Sequence, residues 1–188
     1  MQLLLTPHKA QTLIEACEAT EHMGSAAIEI GVFEGGSLAL IARHCPNRKI
    51  VGFDTFEGLP KSDWNKGELH SPGKFNCSIE QVALNLSLAR RPNLKLVKGY
   101  FPDSFNPEDP SIPTFLSLAH VDVDFGDGIL NCLQAIWPRL LPGGIIVVDD
   151  YDWPHTPQVK DAVESFLAGL NRAPRCHFGK SYQYLFVK

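Results

Sequence analysis

Five apolar runs of strand length, each ending at a glycine or an aspartate, alternate along this chain with segments of helical spacing. That alternation constrains the fold more than any other feature. AAIEIGVF (26–33), KIVGFDTF (49–56), LKLVKGYF (94–101), TFLSLAHVDVD (114–124) and GGIIVVDDY (143–151) read as strands. The segments 7–21, 34–45, 78–91, 127–140 and 159–170 carry the 3.6-residue spacing of amphipathic helices. Ile129, Leu130, Leu133, Ile136, Trp137 and Leu140, for example, form one apolar stripe. Strands that are apolar throughout, rather than alternating, belong in a parallel sheet covered by helices on both faces. CHFG (176–179) and SYQYLFVK (181–188) read as a closing antiparallel pair. The expected architecture is therefore one α/β domain spanning 1–188, with an N-terminal helix inside 1–25.

Composition narrows the partners. A net charge of −4 with no Lys/Arg run argues against a nucleic-acid ligand. The apolar runs are too short to span a bilayer, and the N-terminus lacks the basic leader of a signal peptide. Cys17, Cys45, Cys77, Cys132 and Cys176 are odd in number and never in a CxxC pair, which predicts free thiols in a cytoplasmic protein.

In a covered parallel sheet, ligands bind at the carboxyl ends of the strands, so the residues there carry the chemistry. The first strand runs into Glu29-Ile-Gly31-Val-Phe-Glu34-Gly35-Gly36-Ser37. Glycines let this backbone approach a ligand, and the helix that follows offers free N–H groups and a positive dipole end. The second strand ends at Asp54, suited to a ribose hydroxyl; alone, such an aspartate would be a turn former. Together they predict an adenosine-containing ligand and leave dinucleotide and S-adenosylmethionine both open. The fourth and fifth strands end in His120-Val-Asp122-Val-Asp124 and Asp149-Asp150. Alternation puts Asp122 and Asp124 on one face, and on neighbouring strands about 4.8 Å apart Asp122 and the Asp149–Asp150 pair converge. An all-oxygen acidic cluster suits a hard cation such as Mg²⁺. The alternative is a solvated pair neutralised by Lys98 or Arg139.

These blocks in this order resemble class I S-adenosylmethionine-dependent methyltransferases, and more narrowly the macrocin O-methyltransferase family. The resemblance covers roughly residues 26–165 through IEIGVFEGGSLALIAR, VGFDTFEGLP, KGYFPDS, HVDVD and NCLQAIWPRLLPGGIIVVDDY. It implies a Rossmann-like, mostly parallel seven-stranded sheet with an antiparallel C-terminal strand. It also implies that Glu29, Gly31 and Ser37, in the turn with Glu34 and Gly35, hold the methionine part of the cofactor. Asp54 would hold the ribose and Gly99 would lie near the adenine. Asp122, Asp149 and Asp150 match the family's metal ligands, with Mg²⁺ required and a sugar hydroxyl as methyl acceptor. Two departures fall on the substrate side. Relatives usually carry a longer N-terminal region than residues 1–25, and Phe125-Gly126-Asp127-Gly128 stands where an aromatic, an acid and Ser-Thr are typical.

The expected reaction is in-line methyl transfer to a hydroxyl of a small molecule, activated by Mg²⁺, with Asp122, Asp124 or His155 taking the proton. The loop KSDWNKGELHSPGKFNC (61–77), with Trp64 and His70, has the length of a lid or an insertion. A homodimer is compatible with this function. Two rivals remain: an NAD-dependent oxidoreductase, which leaves Asp122, Asp149 and Asp150 without a task, and a non-catalytic binding module on the same fold.

Overall fold

The apolar runs fold as a seven-stranded sheet in a computed structural model that describes residues 4–65, 69–87, 93–106, 108–171, 173–179 and 182–188. The strands are β1 (Ala26–Ile30), β2 (Ile50–Asp54), β3 (Leu94–Lys98), β4 (Leu116–Val121), β5 (Leu140–Val148), β6 (Arg175–Gly179) and β7 (Gln183–Val187), in the order β3-β2-β1-β4-β5-β7-β6. β1 to β5 pair in parallel, and β7 inserts antiparallel between β5 and β6. The helices are α1 (Pro7–Glu21), α2 (Gly36–His44), α3 (Ile79–Ser87), α4 (Gly126–Ile136) and α5 (Pro157–Ala168). The end of the predicted 78–91 helix lies outside the described residues. Among those described, no helix is long and apolar enough to cross a membrane, and the five cysteines are free thiols.

The period-2 alternation of β5 shows how the sheet is covered. Ile145 and Val147 join Leu13, Cys17, Leu38, Ile41 and Val82 on the face under α1, α2 and α3. Ile146 and Val148 join Ile129, Leu133, Val163 and Phe166 on the face under α4 and α5. Both faces are dry, which is why the runs are apolar throughout.

Strand order reverses between β1 and β4, which opens a crevice above their carboxyl ends. At the opposite, amino-terminal end of the sheet, the rear of α1 is clamped by Arg48, which is 1% exposed. Its guanidinium donates to Thr20 Oγ1 (3.0 Å), Ser117 Oγ (2.8 Å) and the Cys17 carbonyl (3.0 Å), and its Nε sits 2.9 Å from Glu21. A buried guanidinium needs that many acceptors, so the arrangement fixes the second half of α1 against β4.

Candidate active site

β1 leaves the sheet at Gly31, whose φ is +87°. A β-carbon there would stand 1.8 Å from the Asp122 carbonyl oxygen, so the ends of β1 and β4 touch backbone to backbone. Asp54 then ties down the turn. Its Oδ2 accepts from the Val32 and Phe33 N–H groups (2.7 and 2.9 Å), and its Oδ1 accepts from Phe56 N–H (2.7 Å). Asp54 therefore shapes the glycine turn as well as facing the crevice.

The crevice is a cavity of about 340 Å³. In strand order, Gly99 and Tyr100 after β3, Asp54 at the end of β2, Gly31, Glu34, Gly36 and Ser37 after β1, Asp122 and Asp124 after β4, and Asp149 and Asp150 after β5 all line it. Gly35 does not line it, since its open side meets Val82 and Leu86 of α3. Glu29 does not line it either. It is fully buried below the turn, with Oε1 2.8 Å from His120 Nδ1. Burial raises the Glu29 carboxyl; burial opposes protonation of His120, but the hydrogen bond and charge of Glu29 outweigh it and raise the imidazole.

Val121 pairs with Val148, so Asp122 and Asp149 leave the sheet side by side. Beyond them the backbone enters the left-handed region at Asp124 (φ +61°) and Asp150 (φ +56°), which aspartate tolerates better than most residues. Carboxylate oxygens of Asp122, Asp124 and Asp150 come within 4.8 Å of one another. The compact trio thus contains Asp124, whereas the sequence pointed to Asp149. Asp149 turns to Lys9 of α1, whose Nζ lies 2.9 Å from Asp149 Oδ1 and also contacts Asp150 Oδ1. Burial, then repulsion from its acidic neighbours, raises Asp122 well above the usual carboxylate range and pushes Asp124 up to about 7. Burial and Asp149 raise Asp150 as well. Burial alone would lower the Lys9 ammonium, but Asp149 and Asp150 raise it. Such a cluster holds protons or a cation.

The loop after β2 closes one side. Asp63, in a 3-10 turn at Lys61–Asp63, is 5% exposed and accepts from the Tyr100 hydroxyl at both oxygens (2.9 and 3.1 Å). Burial, reinforced by Asp63, pushes the Tyr100 phenol up to about 12. A β-carbon on Gly128 would lie 2.9 Å from Asp63 Oδ2, so the glycine at this departure from the family pattern makes room for the loop carboxylate. Residues 66–68 of the expected 61–77 lid lie outside the described residues; within the rest, Asp63, His70 and Phe75 line the cavity.

His70, not His155, is the histidine beside the acids. Lys74 donates to its Nδ1 (2.8 Å), which assigns the ring proton to Nε2, 3.6 Å from Asp124 Oδ1. Burial, then Lys74, lowers His70 below the ordinary imidazole value. His155 is exposed against the Trp153 ring and lies outside the cavity. Sequence reasoning left Lys9, Asp63 and Tyr100 out of the site. Lys9 carried one signal: a basic residue in the first turn of a helix opposes the macrodipole and calls for an acidic partner.

A switch-point cavity with a glycine turn and acids after β2, β4 and β5 defines a Rossmann-like fold of the methyltransferase class. The chain belongs to the macrocin O-methyltransferase family: the model described as Macrocin-O-methyltransferase (TylF) matches residues 8–171. It is 29% identical over 139 residues to the 8-demethyl-8-(2,3-dimethoxy-alpha-L-rhamnosyl)-tetracenomycin-C 4'-O-methyltransferase of Streptomyces olivaceus, covering 66% of this chain and 52% of that protein. To the demethyldecarbamoylnovobiocin O-methyltransferase of Streptomyces niveus it is 25% identical over 165 residues, covering 78% and 59%. The chain thus spans between half and three-fifths of these relatives' lengths. Its fold matches the O-methyltransferase NovP with a TM-score of 0.83 at 23% identity, covering 96% of this chain and 79% of that one.

Proposed function

We propose that this protein is an S-adenosylmethionine-dependent, Mg²⁺-assisted O-methyltransferase acting on a hydroxyl of a small molecule, with a sugar hydroxyl as the acceptor. The observation that carries the reading is the convergence of Asp122, Asp124 and Asp150 on the cavity that the glycine turn and Asp54 also line. The residues fit both groups. The described lining contains Asp54, Asp63, Asp122, Asp124, Asp149 and Asp150 and no Lys or Arg. Even with Lys9 offsetting part of the Asp149–Asp150 charge, this lining suits a cationic sulfonium and a divalent ion better than the pyrophosphate of a dinucleotide. The two named O-methyltransferases, one acting on a rhamnosyl group by its name, support the acceptor class.

Asp122 and Asp150, shared by the compact trio and the sequence-matched set, would hold the ion with Asp149 beside them, and the ion when bound would polarise the acceptor hydroxyl and orient it. The Gly31–Ser37 turn would seat the methionine part of the cofactor, Asp54 the ribose, and Gly99 the adenine, while Glu29 supports the turn from beneath. The cofactor supplies the methyl group for in-line attack by the hydroxyl oxygen. Asp124, whose carboxylate stands beside Asp122 and Asp150 on the same cavity, accepts the hydroxyl proton. His70 Nε2–H faces Asp124 and orients it.

Calorimetric titration with S-adenosylhomocysteine and with NAD, each with and without Mg²⁺, tests the assignment. S-adenosylhomocysteine binding is expected, and methyl gain on deoxysugar glycosides identifies the acceptor. NAD binding without S-adenosylhomocysteine binding rejects the proposal.

A further inference from the structure

The first turn of α1 places an ammonium on the carboxylates assigned above to a metal ion. We propose that Lys9 and a divalent cation are mutually exclusive occupants of the Asp149–Asp150 pair, so that loading the ion releases the first turn of α1 from the cavity rim. The proposal rests on the Mg²⁺ reading and adds to it a built-in competitor.

Lys9 Nζ meets Oδ1 of both aspartates, and its side chain is only 12% exposed. The Asp149 side chain is 4% exposed, so little water is available to solvate its charge if Lys9 leaves without a replacement. An ion bound to the same oxygens at the usual Mg–O distance of about 2.1 Å would sit within roughly 5 Å of Nζ. Two cations at that separation in this largely buried site repel, and solvent screens them only weakly.

The helix is built to yield at this end. Arg48 clamps α1 at Cys17, Thr20 and Glu21, about two to three turns away from Lys9. Before Lys9 the chain is held by the Thr6 cap, whose hydroxyl accepts from Lys9 N–H at 3.3 Å. A lysine in the first turn faces the positive end of the helix dipole, so its attraction to Asp149 and Asp150 is what offsets that placement. Leu4 and Leu5, just upstream, line the cavity. Leu5 also packs against the core under α1, so release of Lys9 would loosen the segment carrying these two lining side chains and couple metal loading to the shape of the cavity.

Mn²⁺ binding, followed by electron paramagnetic resonance of the free ion, tests this on the full chain and its Lys9→Gln variant, with S-adenosylhomocysteine titration as the control for folding. Lys9→Gln is expected to bind Mn²⁺ about tenfold more tightly or better. Amide exchange over residues 8–13 is expected to quicken on Mn²⁺ addition in the unaltered protein, and to be already fast and unresponsive in Lys9→Gln. Equal or weaker Mn²⁺ affinity in Lys9→Gln overturns the competition while leaving the metal site standing. Absence of Mn²⁺ binding in both proteins, with S-adenosylhomocysteine still bound, overturns the metal reading itself and the competition with it.

Discussion

Gly31 and Asp122 touch through their backbones: a β-carbon on Gly31 would lie 1.8 Å from the Asp122 carbonyl oxygen. No rotamer change relieves that contact, because both partners are main chain at the ends of paired strands. Gly31→Ala adds a left-handed backbone penalty to the clash, for a loss of at least about 3 kcal/mol. Thermal unfolding should show a midpoint lowered by roughly 6–12 °C. S-adenosylhomocysteine binding should be lost with it, and an unchanged midpoint would contradict the geometry.

The acid cluster sets a pH dependence of the metal-free protein. Asp124 has its carboxyl raised to about 7, whereas the unfolded value is the ordinary carboxylate one near 4. Between those values the folded state keeps a proton that the unfolded state has released, so stability falls as pH rises from about 4 to about 7. Asp122 and Asp150 shift in the same direction and add to the slope. Unfolding midpoints across that range should decline, and Asp124→Asn should flatten the decline. Mg²⁺ must displace these protons, so its affinity should be higher at pH 8 than at pH 6 by calorimetry.

Tyr100→Phe removes the donor that satisfies both oxygens of Asp63. Ser62 still donates to Oδ1 at 3.0 Å, but Oδ2 loses its hydrogen bond. A buried carboxylate short of one donor costs about 1–3 kcal/mol. Denaturant unfolding should register that loss, with weaker S-adenosylhomocysteine binding, since both residues line the cavity. Tyr100→Phe with unchanged stability would show that water replaces the phenol.

The two histidines separate cleanly. His70→Ala leaves Asp124 without its facing imidazole and should lower turnover of an accepted hydroxyl substrate by roughly 10- to 100-fold. Its S-adenosylhomocysteine affinity should stay within about twofold. His155→Ala, altering an exposed ring outside the cavity, should leave both quantities unchanged. The reverse ranking in steady-state kinetics would return the proton relay to His155.

The strands, their covered faces and the residues at their ends were legible in the sequence because the signals are local. Ile145–Val148 has to be buried on both sides, and burial determines that Asp149 and Asp150 emerge at the rim. Gly31, Asp54, Asp122 and Asp124 were legible for the same reason, each standing where a strand stops. Tertiary structure alone decided which of these groups meet. Asp124 joins Asp122 and Asp150 because two left-handed residues redirect the chain after β4 and β5. Lys9 reaches Asp149 from 140 positions away only because α1 packs on the sheet through Leu13, Ala16 and Cys17 and is clamped there by Arg48. His70 and Asp63 enter the cavity through a loop without periodicity, positioned by Lys74, Tyr100 and the space left at Gly128. Strand identity follows from the period of apolar side chains, whereas contacts between loops and a distant helix follow from packing and charge compensation, for which a single chain carries no periodic signal.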